Sequence, residues 1–274
     1  MKNLIYTLFI VITSFTINAQ TTDTKAVQNN YWFSYSGNHK LSEKWGLNTD
    51  LQWRRSENLN HPMQNVMLFG LDYKCNKNIA ASAGYSFIKI YAYGDFSKEI
   101  PAKYNQYDAI QNLIWEQLAI KHSNIGRFLL DSRFRLEQRW IQNKVLNSDG
   151  QYVLDNETIS GTNAEPIKFR QRLRYRYRVQ LPINNTELKD NTLFLVVSDE
   201  IFVNIGKGTA ANIFDQNRLA LGLGWRFTND FNIQAAYMNQ FIEKSDGKHK
   251  ENNHTLVLGI TYNLDFIKLF QSNK

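Results

Sequence analysis

Cysteine, proline, histidine and long apolar runs are all scarce in this 274-residue chain, which has one Cys, 4 Pro and 5 His. A lone Cys75 can form no internal disulfide and cannot build a Cys-x-x-Cys metal cluster. It also lies far from residue 19, so it is not an N-terminal lipid-anchoring cysteine. Beyond Ile17 no stretch approaches the ~18–20 apolar residues that a transmembrane helix needs, and the mean hydropathy is −0.46. A helical membrane protein is excluded. Aromatic residues, in contrast, are abundant: 14 Tyr, 17 Phe and 6 Trp. That composition excludes a disordered chain.

The first 19 residues read as a secretory signal. Lys2 supplies the positive start, Leu4 to Ile17 the apolar stretch, and Ala19 the small residue before a cleavage point at Gln20. Residues 20–274 are then a single exported domain.

Hydrophobicity in that domain repeats with period 2, the signature of strands buried on one side. In the last segment Leu256, Leu258, Ile260, Tyr262, Leu264 and Phe266 share one face, with Thr255, Gly259, Thr261, Asn263 and Asp265 on the other. Between Phe169 and Leu181 the arrangement is stronger: Arg170, Arg172, Arg174, Arg176 and Arg178 oppose Phe169, Leu173, Tyr175, Tyr177, Val179 and Leu181. Such a row of guanidiniums cannot face a packed apolar core, because an unpaired buried charge costs several kcal/mol. Phe128 to Trp140 repeats the theme, with Asp131, Arg133, Arg135, Glu137 and Arg139 on its polar face.

About eleven such segments occur, near 30–40, 45–55, 63–74, 79–91, 104–120, 127–142, 167–181, 192–204, 214–227, 231–243 and 254–266. Short turns (42–44, 75–78, 122–126, 228–230) alternate with longer connections (92–103, 143–166, 206–213). All four prolines fall at strand ends or between strands, where a missing N–H harms no ladder. Strands of this length are long for a soluble sandwich and suit tilted bilayer-crossing strands. Tyr31, Trp45, Trp53, Tyr73, Tyr91, Trp140, Trp225 and Phe266, near strand ends, fit interfacial girdles. The predicted fold is all-β: an antiparallel transmembrane β-barrel of about 10–12 strands, of outer-membrane type. Bacterial single-chain barrels have even strand numbers. The expectation is therefore either a twelfth edge strand within residues 21–29 or one segment outside the membrane.

The end of the chain, Gly259-Ile-Thr-Tyr262-Asn-Leu264-Asp-Phe266, resembles the C-terminal signal read by barrel-assembly machinery, although Ile267 to Lys274 follow it. Phe169-Arg-Gln-Arg-Leu-Arg-Tyr-Arg176, Ser198-Asp-Glu-Ile-Phe202, Phe214-Asp-Gln-Asn-Arg218 and Tyr237-Met-Asn-Gln-Phe241, in that order, are similar to a Bacteroidota outer-membrane β-barrel family filed as domain of unknown function 2490. The Ala19-Gln20 junction is also typical of exported proteins of that group. The resemblance covers nearly all of the mature chain. It implies a place in the outer membrane of a Gram-negative bacterium, and it carries over no activity and no catalytic residues.

The polar face holds Arg54, Lys74, Arg133, Arg135, Arg139, the five ladder arginines, Arg218 and Arg226 against Asp50, Asp72, Glu116, Asp131, Glu137, Glu200 and Asp265. Lumen arginines either pair with these acids to fill the barrel or line a passage that prefers anions. Nucleic-acid binding needs a basic face in the cytoplasm and does not suit an exported chain. Glu200, Arg218 and Gln240 stand where neighbouring strands would join them, as a plug, a ligand contact or an acid/base group. His122 beside Ser123, and His249 near Ser245 and Asp246, are the residues on which a rim hydrolase would rest, but adjacency in sequence makes no triad. Gly206-Lys-Gly-Thr lacks phosphate-loop spacing. No catalytic, cofactor-binding or metal-ligating set emerges. The readings in play are a narrow anion-preferring channel, a closed accessory barrel whose long loops (143–166 above all) bind envelope proteins, and a rim hydrolase. The expected partners are outer-membrane lipid and the assembly machinery.

Overall fold

The computed structural model describes residues 24–91, 93–94, 108–146, 152–154, 167–206, 212–244 and 247–271. The signal-like first 19 residues lie outside these. Twelve strands run β1 (Thr24–Lys40), β2 (Trp45–Ser56), β3 (His61–Lys74), β4 (Ile79–Ile90), β5 (Asp108–Lys121), β6 (Leu129–Leu146), β7 (Tyr152–Leu154), β8 (Ile167–Pro182), β9 (Thr192–Ile205), β10 (Phe214–Arg226), β11 (Phe231–Glu243) and β12 (His249–Tyr262). A six-residue helix, α1 (Phe266–Gln271), follows. β7 only extends β6 at its loop-side end. The other eleven form one sheet that closes on itself, since β5 pairs with β6, β6 with β8, and β1 with β12.

That closure resolves the parity expectation in a third way. When each strand reverses the one before, an odd number leaves the first and last pointing the same way, so the seam must be parallel. β1 and β12 pair in parallel from Thr24↔His249 to Ser36↔Thr261. Residues 24–29 are thus not a separate twelfth strand but the start of a long β1, and no segment is surplus.

Burial follows the alternation. Outward side chains such as Leu221 (54% exposed), Met67 (51%) and Leu219 (52%) leave a broad apolar surface around the barrel. Aromatic pairs edge it at both ends: Trp45–Tyr73 and Phe227–Phe231 on the short-turn side, and Phe33–Trp53 and Trp140–Phe169 on the loop side. From Trp45 to Trp53, at ~3.3 Å per residue and a ~40° tilt, the band is about 20 Å high.

β5 departs from the rule. Leu113 and Trp115 face inward, at 2% and 0% exposure, and Glu116 faces outward, where its carboxylate accepts from Gln138. Glu116 is therefore not a lumen acid, contrary to the expectation from its strand. The indole of Trp115 occupies the space above Gly84, its register partner, and above Gly70. Phe194 fills the gap over Gly224 in the same way. Asp265 is not a lumen acid either; its Oδ1 accepts from the Ile267 and Lys268 amides and caps α1. β12 accordingly ends at Tyr262, and Phe266 opens the helix with its ring 6.0 Å from His39. Pro62 sits at the β2–β3 register shift between Arg54 and Arg55, where no ladder N–H is needed. The 183–191 connection, on the short-turn side, is longer than its neighbours and is held by Arg127, whose Nη2 donates to the Pro182, Ile183 and Asn185 carbonyls.

A Cβ at Gly84 would fall 2.5 Å from the Trp115 ring. Gly84→Val is expected to destabilise the barrel by about 1–3 kcal/mol through overpacking. Urea unfolding in detergent, followed by heat-modifiable gel mobility, checks this; an unchanged midpoint would contradict the packing described.

Candidate functional site

The ladder arginines enter the lumen because β8 alternates and because its outward positions are taken by Phe169, Leu173 and Tyr175. Register then decides their neighbours: β6 sets Asp131 opposite Arg178, Arg133 opposite Arg176, Arg135 opposite Arg174 and Glu137 opposite Arg172. Long guanidiniums reach diagonally. Arg172 meets Glu137 at 2.7 Å and Asp215 at 2.6 Å. Arg174 joins Glu137 (2.6 Å) to Glu200 (3.0 Å), and Glu200 also takes Arg133 at 2.7 Å. Asp131 receives Arg176 (3.3 Å) and Arg178 (2.7 Å). Glu137, 1% exposed, therefore neutralises two arginines at once. Charge-assisted fork contacts of this kind are the strong ones.

Asp215, within the Phe214 to Arg218 motif, was not legible as an inward residue. Strict alternation would send it outward beside the inward Gln216. A bulge between Phe214 and Gln216 breaks the register and turns Asp215 toward Arg172.

Four further arginines have no carboxylate within ion-pair distance among the described residues. Arg54 donates to Gln52 and Gln64, Arg135 to Gln117 (2.7 Å), Arg139 to Gln111 (2.8 Å) and Arg218 to Gln216 (3.3 Å). Glutamine carbonyls satisfy hydrogen bonds and leave the charge standing. Aromatic faces supply the rest: Arg54 and Arg218 lie 3.8 and 5.0 Å from the Trp32 ring centroid, Arg135 lies 4.7 Å from Trp115, and Arg172, Arg174 and Arg218 surround Phe202.

Glu200, Arg218 and Gln240 do share one row of the sheet. Their bonds go elsewhere: Glu200 to Arg133 and Arg174, and Gln240 to Gln216 at 2.6 Å. Gln240 is buried behind Gln216 and does not line the cavity. Arg170, opposite Arg139 in register, lines neither cavity described below.

Nine arginines (54, 133, 135, 139, 172, 174, 176, 178 and 218) and three carboxylates (Asp50, Glu137, Glu200) line a central cavity of about 630 Å³. Its other wall, from β1 and β2, is hydrophilic, with Ser34, Ser36, Asn48, Thr49 and Gln52 around Asp50 and Arg54. Arg176, Arg178, Asn38 and Gln234 also border a second cavity of about 760 Å³, which reaches the short-turn rim at Ser42, Lys44, Lys121 and Asn229. At that rim Lys40 bonds Glu43 at 2.7 Å, and this hydrogen bond holds the Glu43 carboxyl below its ordinary value. On the long-loop side the described residues form an apolar cluster. Trp32, Met63 and Met238 pack there with Tyr93, whose hydroxyl donates to Glu251 at 3.2 Å; Lys244 meets Glu251 at 2.5 Å.

His122 does not use its sequence neighbour Ser123. Its Nε2 lies 2.9 Å from Ser132 Oγ, and its ring is 6.0 Å from Tyr177. No carboxylate pairs with it among the described residues, and Ser245 and Asp246, named with His249, lie outside them. No cluster of metal-ligating side chains occurs among the described residues either.

Glu137→Gln leaves Arg172 with Asp215 alone and Arg174 with Glu200 alone, and is expected to cost about 3 kcal/mol. Asp131→Asn, beside the more exposed Arg178, is expected to cost about 1 kcal/mol. Unfolding midpoints of the two variants, measured side by side, check the ordering.

Curated proteins offer no match to this sequence. Among solved structures, one described as a NanC porin in a rhombohedral crystal form is similar, with TM-score 0.46 and 10% sequence identity over 86% of this chain and 97% of that one. The family described as protein of unknown function (DUF2490) matches residues 29–252. The chain, matched over most of its length, belongs to that family.

Proposed function

We infer that the protein is an outer-membrane barrel of a Gram-negative bacterium serving as a narrow passage that prefers anions. The observation that carries this reading is the set of four arginines without an ion-paired acid, Arg54, Arg135, Arg139 and Arg218, on a cavity that shares Arg176 and Arg178 with a second one reaching the short-turn rim. A low-dielectric wall bearing unneutralised guanidiniums raises the local anion concentration and repels cations. Arg172, Arg174 and Arg176 are spent on Glu137, Glu200, Asp131 and Asp215, so they contribute structure more than selectivity. The apolar outer band and its aromatic edges support lipid as the surrounding solvent, and such a barrel enters the membrane through the assembly machinery.

A second reading, a closed accessory barrel that binds envelope proteins, is favoured by the packed loop-side cluster at Trp32, Met63, Met238 and Tyr93. The 147–166 stretch on which its partner contacts would rest lies outside the described residues, apart from β7.

The refolded chain in a planar bilayer under a salt gradient is expected to give small conductance steps with an anion-preferring zero-current potential. Arg135→Gln with Arg139→Gln should move that potential toward zero. Silence from a demonstrably folded barrel would overturn the passage and favour the accessory reading.

A further inference from the structure

The part of the lumen where side chains of β1, β2 and β10 converge is rich in donors. Arg54 is 7% exposed and spends part of its fork of N–H groups on Gln52 and Gln64. Arg218 spends only Nε, on Gln216, and no described residue accepts from its terminal nitrogens. Trp32, 5% exposed, lines the same cavity, and its buried indole Nε1 has no acceptor. Both guanidiniums lie on this one indole, at 3.8 and 5.0 Å from its centroid. Two like charges on one ring, with no carboxylate in ion-pair range, repel each other in a poorly screened place. A neutral ligand could accept from those donors, as the glutamine carbonyls do, but would leave the repulsion in force. Only an acceptor-rich, doubly negative group answers both.

The geometry points to a saturable binding site at Arg54, Trp32 and Arg218 for a compact doubly charged oxyanion, a phosphate or a small dicarboxylate, inside the lumen. This deepens the anion-passage reading and rests on it for the ligand's route in. Arg218 is the principal binding group, because its fork is free to take two oxygens side by side. Arg54, pinned by glutamine carbonyls, supplies fixed charge, and Trp32 Nε1 supplies a third donor. Chloride, singly charged and without a fork of oxygens, engages this set weakly. The site therefore separates dianionic oxyanions from bulk halide, which the arginine excess along the rest of the lumen does not.

The test uses the refolded full chain in detergent, titrated by calorimetry with inorganic phosphate at alkaline pH and, separately, with succinate, both against constant chloride. Saturation is expected in at least one arm. Phosphate alone assigns a phosphate ligand, succinate alone a dicarboxylate, and both together the shared oxyanion chemistry. Arg218→Gln should raise the midpoint by at least about tenfold. Trp32→Phe, which keeps an aromatic face and removes only the N–H, should raise it a few-fold. Lys77→Gln, in the exposed turn after β3, should leave it unchanged. Saturation in neither arm, or an unaltered midpoint in both Arg218→Gln and Trp32→Phe, overturns the site. Anion-selective conductance in a protein that shows no binding removes the site and keeps the passage; binding without conductance does the reverse.

Discussion

Two arginines on one buried carboxylate hold the inside of this barrel together. Glu137 joins Arg172 to Arg174, Arg174 reaches on to Glu200, and Glu200 takes Arg133 from β6, on the far side of β8. The chain runs across β6, β8 and β9, so it ties three strands side by side from within. An apolar core cannot do this work, because the outer face of the sheet carries the apolar residues. The lumen must therefore be filled by polar groups that satisfy one another. Where they do so fully, as around Glu137, the wall is structural. Where guanidiniums meet only glutamine carbonyls and aromatic faces, charge is left over for a solute.

Much of the fold was legible in the residues. Alternation in β8 and β12 is strict enough to assign faces one by one, and strand length with aromatic edges argues for a closed barrel over a sandwich. The eleven segments read from the pattern are the eleven strands of the barrel, but how they close was not legible, for a topological reason. Pattern reveals segments but not the direction in which the first meets the last, and the parallel β1–β12 seam removes the need for an even number. β5 misled for a packing reason. Trp115 and Leu113 go inward because Gly70 and Gly84, on other strands, leave room for them, and nothing within β5 records those glycines. The terminal helix followed from Asp265 acting as a cap, a local choice that the preceding alternation masks.

The candidate site was readable to the level of which arginines face inward and no further. Pairing depends on register: Arg172 and Arg178 look alike in sequence, yet one is clamped between Glu137 and Asp215 and the other sits near the rim on Asp131. Asp215 needed the bulge beside it to turn inward. That Arg54, Arg135, Arg139 and Arg218 have no ion-paired acid emerges only once every carboxylate has been assigned to its neighbours in space. Functional emphasis thus passes from the long arginine ladder, which draws the eye, to separate arginines on three strands, β2, β6 and β10.

The whole account depends on the two faces of the sheet meeting different surroundings. In a Cys75→Ser background, single cysteines at Leu221, 54% exposed on the outer face, and at Ala220, which lines the cavity, can carry a fluorescent label in vesicles containing brominated lipid. The account predicts strong quenching at position 221 and little at position 220; equal quenching at both, or none at 221, would contradict it.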